Sequence, residues 1–217
     1  MKELLAPQLQ KVEEDLATAP DNIKHPILHS KVDFAKEFEL RSIIKVGRKL
    51  PDFKLPDANG DEVSSTDLLA QGPLLITFYR GGWCPFCNLA LRALQKHLDD
   101  IKSHGANLVA ISPELPDTSL TTAQKNELSF PVLSDIGLRF ARKLGIVWKQ
   151  PDTLRPVFEI FENDLKARNG DNSFEVPVPV TLLVGRDGIV RNVFAESDYA
   201  KRVEPQEVIY WLTQLNS

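Results

Sequence analysis

Cysteine is scarce in this 217-residue chain, which has two, and methionine scarcer still, with one. Two cysteines cannot build the multi-bridge framework that staples small secreted domains. Long apolar runs are also lacking, and none approaches the roughly 20 residues that a membrane span needs. The opening MKELLAPQLQKVEED meets acidic residues before any long apolar run, which excludes a secretory signal. Positive charge is not in excess: 26 Lys and Arg stand against 30 Asp and Glu, a formal net charge of −4. That balance excludes an electrostatic nucleic-acid binder. The expectation is a cytoplasmic protein with no membrane or nucleic-acid partner, in a compartment that keeps thiols reduced. What is present suits a packed domain: 42% hydrophobic and 26% charged residues. At about 100–200 residues per domain, the length predicts one domain with extensions.

Residues 1–45 read as a helical extension. Leu5, Leu9, Val12 and Leu16 share one helix face, the pattern breaks at Pro20 and Asp21, and a second amphipathic run starts near Pro26. That run carries Ile27, Val32, Ala35, Phe38 and Ile43 on its apolar side. Its expected role is to cover core surface. From Val46 the texture changes, and LPDFKLPDANGDEV predicts an extended segment and a hairpin about Asn59-Gly60. Short apolar runs at 73–79, 107–112, 130–133 and 180–184 predict strands buried on both faces. Helical patterns lie between them: after the cysteines, at 119–128 and 135–144, and in a final helix opened by Pro205 with Glu204 as its cap. Strands alternating with helices predict an α/β fold with a central, mainly buried sheet. Residues 146–176 form an insertion between the third and fourth strands, which covers the active site, covers an interface or packs on the core.

Both cysteines fall in FYRGGWCPFC, residues 78–87, between a predicted strand and a predicted helix. Pro85 suits the first helical position, so Cys84 falls at the cap, where the Phe86 and Cys87 N–H groups would favour its thiolate. Cysteines in such settings have pKa values lowered from about 8.5 to roughly 3.5–7.5. Gly81 and Gly82 allow the sharp turn and leave Cys84 the more exposed sulfur, while Cys87, one turn in, is close enough to bond with it. A metal site fails on ligand number, because His25, His29, His97 and His104 show no grouping with the cysteines. His97 reads as a surface residue, Arg80 as solvent-facing near the site, and Trp83 as its shield. A C-x-x-C beside a strand–helix pattern points to redox chemistry.

The chain resembles the peroxiredoxin-like branch of the thioredoxin superfamily, the AhpC/TSA-type redoxins. WCPFC is similar to thioredoxin and glutaredoxin active-site patterns. VGRKLPDFKLPDANGDEV, FPVLSDIGLRFARKLGI, VTLLVGRDGIVR and ESDYAKRVEP are similar to peroxiredoxin segments, over roughly residues 46–215. The resemblance implies a thioredoxin-like fold over 46–217. Laid on the peroxiredoxin pattern P-x-x-x-T-x-x-C, Arg80 takes the proline, Cys84 the threonine and Cys87 the peroxidatic cysteine. Pro179 stands where that family carries the arginine before the late strand, and Val180 separates it from Thr181. Tyr199 and Arg202 read as arranging the last turn and helix.

Three functions follow from the resemblance and the dithiol. The favoured one is a thiol-dependent peroxidase using a Cys84/Cys87 cycle with Arg80, Trp83, Pro85 and Thr181 in support. The others are a disulfide oxidoreductase and a non-enzymatic redox sensor. The resemblance implies a hydroperoxide or disulfide as substrate and thioredoxin, glutaredoxin or glutathione as reductant. It requires no cofactor, and, since such redoxins often dimerise, it implies a homodimer. The attacking sulfur is contested: the peroxiredoxin register nominates Cys87, and the helix-cap argument favours Cys84.

Overall fold

The computed structural model describes residues 3–38 and 43–215. Two helices open it, α1 (Leu5–Ala17) and α2 (Asp21–Glu37), the second starting five residues before Pro26 and containing it. The hairpin β1 (Lys54–Pro56) and β2 (Glu62–Ser64) follows, then α3 (Ser65–Gln71) and β3 (Leu74–Phe78). After β3 come α4 (Pro85–Lys96), α5 (Leu98–Ser103), β4 (Asn107–Ser112), α6 (Pro116–Lys125) and β5 (Val132–Ser134). A single turn at Ile136–Leu138 leads into α7 (Arg139–Lys143). Next are β6 (Val147–Lys149), α8 (Arg155–Ile160), α9 (Leu165–Asn169) and β7 (Glu175–Pro177). The late hairpin β8 (Val180–Val184) and β9 (Val190–Ala195) precedes α10 (Pro205–Leu215).

Five strands form the central sheet in the order β5-β4-β3-β8-β9. The first three run parallel, β8 lies antiparallel to β3, and β9 to β8. All five residues of β3 and of β8 are buried, as continuous apolar runs require when both sheet faces are covered. Alternate residues feed two cores: Leu74, Ile76 and Phe78 point to one face and Leu75 to the other. On the Leu75 face Leu91, Leu94, Val208 and Leu212 of α4 and α10 meet Leu5 and Leu9 of α1. On the opposite face Phe34 of α2 stacks edge-on against Trp148 of β6 and against Tyr199. Each fully buried Leu or Phe here contributes about 1.5–3 kcal/mol. The sheet places the end of β3, and so the start of α4, at the centre of the molecule.

The N-terminal helices are therefore packed on the sheet layers, α1 against α4 and α2 against α8. Val32 is a correction: it is exposed, because the buried stripe of α2 runs through Ser30 and Phe34. The predicted run from Pro26 to Ile43 crosses residues 39–42, which lie outside the described residues, and Ile43 is buried beyond them. Glu204 stands at the cap position before α10, where its carbonyl accepts from the Glu207 and Val208 N–H groups, and its side chain serves a second helix. Its carboxylate accepts from the Leu5 and Ala6 N–H groups at 2.9 and 2.6 Å and so caps α1. His97 is buried, since the chain turns there from α4 into α5 and its Nδ1 lies 2.9 Å from the Ala93 carbonyl. The 146–176 segment is closed at its base by antiparallel pairing of β6 with β7 and carries α8 and α9 between them.

Candidate active site

Pro85 opens α4 with its fixed φ, which leaves Cys84 at the cap position in extended conformation and Cys87 in the first turn. The turn before it depends on two glycines. Gly81 has φ +147°, and an added Cβ would sit 2.3 Å from Trp83 Nε1; at Gly82 it would sit 2.3 Å from Thr122 Oγ1. The Gly82 N–H donates to Glu114 Oε2 at 3.0 Å, and Asn88 Nδ2 donates to the Gly82 carbonyl at 2.8 Å. Glu114 is buried after β4, and Arg168 of α9 donates to its Oε1 at 2.8 Å. Burial pushes the Glu114 carboxyl up, against the pull of Arg168 and the Gly82 N–H. The cysteine loop is thus clamped from both sides.

The two thiols are free and their sulfurs lie 2.8 Å apart, within reach of a shared S–H hydrogen bond. They are 0% and 1% exposed, so the expectation that Cys84 is the more open is corrected. The cap expectation is corrected too. Cys84 accepts no N–H of the α4 first turn, because its sulfur faces Arg80, whose Nη2 donates to it at 3.3 Å. Arg80 is not solvent-facing but buried, its guanidinium lying 4.1 Å from the Tyr199 ring centroid and 5.1 Å from that of Trp83. On the far side Arg202 Nη2 donates to Cys87 Sγ at 3.2 Å, while its Nη1 donates to the carbonyls of Tyr199 and Lys201.

These contacts divide the proton unequally. Burial pushes the Cys84 thiol well up, and the proton it shares with Cys87 adds to that, outweighing Arg80. Burial would also raise Cys87, but the Cys84 S–H, the two guanidinium groups and the Arg80 backbone N–H together hold it well below the ordinary thiol range. A buried guanidinium needs an anion close by. The adjacent sulfur pair is the group placed to supply it.

Among the predicted residues, Arg80, Trp83, Pro85, Cys84 and Cys87 come together. Thr181 does not join them: its hydroxyl lies 3.2 Å from Thr77 Oγ1, opposite it in the β3–β8 register. Arg202, Tyr199, Glu114 and Arg168 are site residues that the sequence reading left out. The segment ESDYAKRVEP held a signal for the first two in its family resemblance. The Glu114–Arg168 pair, 54 residues apart, had none. Beside Arg80 and Trp83 opens a mainly apolar cleft of about 690 Å³, walled by Leu16, Ile23 and Ile27 on one side and Val157 and Phe158 on the other. Trp83 lies edge-on to Phe158, ring centroids 4.7 Å apart. Among the described residues no three His, Cys, Asp or Glu side chains group as metal ligands, and no helix is long and apolar enough to cross a membrane.

A central mixed sheet with two neighbouring cysteines at the start of the helix after its middle strand is a fold shared with solved peroxiredoxin structures. The AhpC/TSA family matches residues 46–193, and the chain belongs to that family. Peroxiredoxin Bcp of Escherichia coli (strain K12) is 25% identical over 79% of this chain and 97% of its own. A putative peroxiredoxin of Mycobacterium tuberculosis is 36% identical over 41% of this chain and 56% of its own. Among solved structures, peroxidoxin BcpB from Mycobacterium tuberculosis superposes with a TM-score of 0.63 at 20% identity, covering 80% of this chain and 99% of that one. The protein is an oxidoreductase of the thiol-peroxidase kind.

Proposed function

We propose that the protein reduces hydroperoxides through a Cys84/Cys87 dithiol–disulfide cycle in which Cys87 attacks and Cys84 resolves. The observation that carries this reading is the pair of donors that lower Cys87, the Arg202 guanidinium at 3.2 Å and the Arg80 backbone N–H, whereas on Cys84 burial outweighs the Arg80 guanidinium. The nucleophile is the thiolate, so the sulfur that ionises first attacks first. Cys87 Sγ bonds to the terminal peroxide oxygen as the O–O bond breaks. The departing oxygen takes a proton and leaves as alcohol or water. Cys84 then attacks the Cys87 sulfenic sulfur, the S–S bond forms, and the hydroxide leaves as water with the Cys84 proton. The two electrons come from the two thiols, and a thiol reductant of the thioredoxin, glutaredoxin or glutathione class restores them.

Both sulfurs are covered, so attack requires the side chains around them to shift. That burial weighs against the disulfide oxidoreductase, whose attacking sulfur must reach a protein disulfide. The test is stopped-flow oxidation of the reduced protein by one equivalent of hydrogen peroxide, followed by mass spectrometry of non-reduced peptides. Both thiols are expected to disappear together into an intramolecular Cys84–Cys87 disulfide, with turnover once a thiol donor is supplied. A stable sulfenic or sulfinic acid beside a free thiol, or faster reduction of insulin than of peroxide, would overturn the reading.

A further inference from the structure

The two cations that face the sulfurs, Arg80 after β3 and Arg202 before α10, share one support. The Arg80 guanidinium lies 4.1 Å from the Tyr199 ring centroid, and Arg202 Nη1 donates to the Tyr199 carbonyl. Tyr199 is buried and is itself held from α2. The buried Ser30 hydroxyl donates to the Ile27 carbonyl at 2.8 Å, which leaves its oxygen to accept the Tyr199 O–H at 2.9 Å. Phe34, one turn further along α2, meets the Tyr199 ring edge-on at 5.4 Å. A continuous chain of contacts thus runs from Ser30 through Tyr199 to both guanidinium groups, and from them to both sulfurs.

The segment that carries Tyr199 is fastened to the N-terminal helices on either side of it as well. Asp198 Oδ1 lies 3.2 Å from Lys31 Nζ, which also bonds to Glu13 of α1. Glu204 caps α1, whose own cap position, Leu4, offers no side-chain acceptor. A helix of 13 residues is marginal by itself, so α1 depends on such tertiary contacts. Residues 5–37 and 198–204 lie outside the family-matched segment 46–193, whereas Arg80 and the cysteines lie inside it. The chain has therefore added, on both sides of the redoxin core, parts that fix the charges beside its dithiol.

We infer that Tyr199 is a positioning residue for the dithiol, that Ser30 fixes it there, and that the N-terminal helices thereby support the active site. Tyr199 acts through the arginines: its ring faces the guanidinium that donates to Cys84, and its carbonyl anchors the one that donates to Cys87. In a buried site the pull of a cation on a thiolate weakens steeply when the cation is free to drift. No other charged side chain competes in this arrangement, since Glu114 behind the loop is engaged by Arg168 and the Gly82 N–H, and Lys31 by Asp198 and Glu13. The inference rests on the dithiol reaction proposed above, and its first readout needs no peroxide.

The test measures iodoacetamide alkylation against pH in the reduced full chain, beside single-turnover oxidation by hydrogen peroxide. The proteins are the wild type, Tyr199→Leu, Tyr199→Phe, Ser30→Ala and the double variant of the last two. Tyr199→Leu, which removes ring and hydroxyl, should move the alkylation midpoint up and slow oxidation by about tenfold or more. Tyr199→Phe keeps the ring and loses the bond to α2, so the midpoint should rise by less. Ser30→Ala should match it, and the double variant should go no further than either, because both remove one and the same bond. Should Tyr199→Leu not fold, these milder variants carry the test. If urea unfolding shows lost stability while midpoint and oxidation rate keep their wild-type values, Tyr199 only packs and the inference is overturned. Additive shifts from Ser30→Ala and Tyr199→Phe would overturn the link through α2. If hydrogen peroxide oxidises none of the proteins but the midpoints move as expected, the peroxidase reading falls and the positioning role stands.

Discussion

Arg80 and Arg202 each place a guanidinium on one sulfur of the same pair, and they are held in opposite ways. Arg80 follows β3 directly, is buried, and is layered between the Tyr199 and Trp83 rings. Among the described residues no carboxylate pairs with it. Arg202 comes from the segment between β9 and α10, is half-buried, and is tied by backbone carbonyls. The Arg80 charge has lost its water and is balanced chiefly by the thiol pair, so its removal is a question of stability. The Arg202 charge keeps part of its water and lowers Cys87 more than Arg80 does, so its removal is a question of ionisation. One arginine builds the site and the other sets its proton.

Variants can break this division at different depths. The largest effect is expected at the sulfurs themselves. Cys87→Ser should slow single-turnover oxidation by on the order of a thousandfold or more, as loss of a nucleophile does. Cys84→Ser should still react once and stop at a sulfenic acid on Cys87, trapped by dimedone. If instead Cys84→Ser is inert and Cys87→Ser reacts, the donor count has assigned the wrong sulfur.

Arg80→Gln comes next. Taking away one partner of a buried charge pair should cost about 3 kcal/mol in the reduced protein, read from urea denaturation. The cost should shrink after oxidation, when no thiolate remains to be balanced. An equal loss in both redox states would mean that Arg80 acts through its aromatic packing alone.

Arg202→Gln should leave the fold nearly as stable and raise the Cys87 pKa, since it removes a guanidinium that donates to the thiolate and holds it low. Iodoacetamide alkylation of the Cys84→Ser protein against pH would show it. The same ionisation links to stability. The folded-state pKa of Cys87 lies below the unfolded thiol value of about 8.5, so its contribution is complete above that value and is lost as pH falls through the folded pKa. Cys84, raised, contributes in the opposite sense: its share is present below about 8.5 and is lost as pH rises through its own folded pKa. An alkylation profile unchanged by Arg202→Gln would remove Arg202 from the site.

The smallest effect lies at the far end of the same segment. Glu204→Ala removes the carboxylate cap of α1 and should cost about 1 kcal/mol in thermal unfolding.

Much of the site was legible because its determinants are local. A buried strand, two glycines, Trp83, Cys84, Pro85 and Cys87 follow one another within fifteen residues, and each acts on the backbone beside it. The sheet was legible for the same reason, through short apolar runs. The surroundings of Arg80 and Cys84 were misread because side-chain direction depends on what packs opposite. Tyr199 draws the Arg80 guanidinium inward, and Arg80 in turn takes the Cys84 sulfur away from the helix N–H groups.

The sequence by itself determined that two sulfurs would stand at the start of a helix behind a central strand, since spacing and turn chemistry suffice for that. Only the tertiary structure decided which charges stand beside each sulfur. That choice depends on Arg202, 115 residues from Cys87, and on a clamp joining Gly82 to Glu114 and Glu114 to Arg168. Electrostatic attraction at 3 Å is set by distance in space, and the folded sheet brings these charges together from separate parts of the chain.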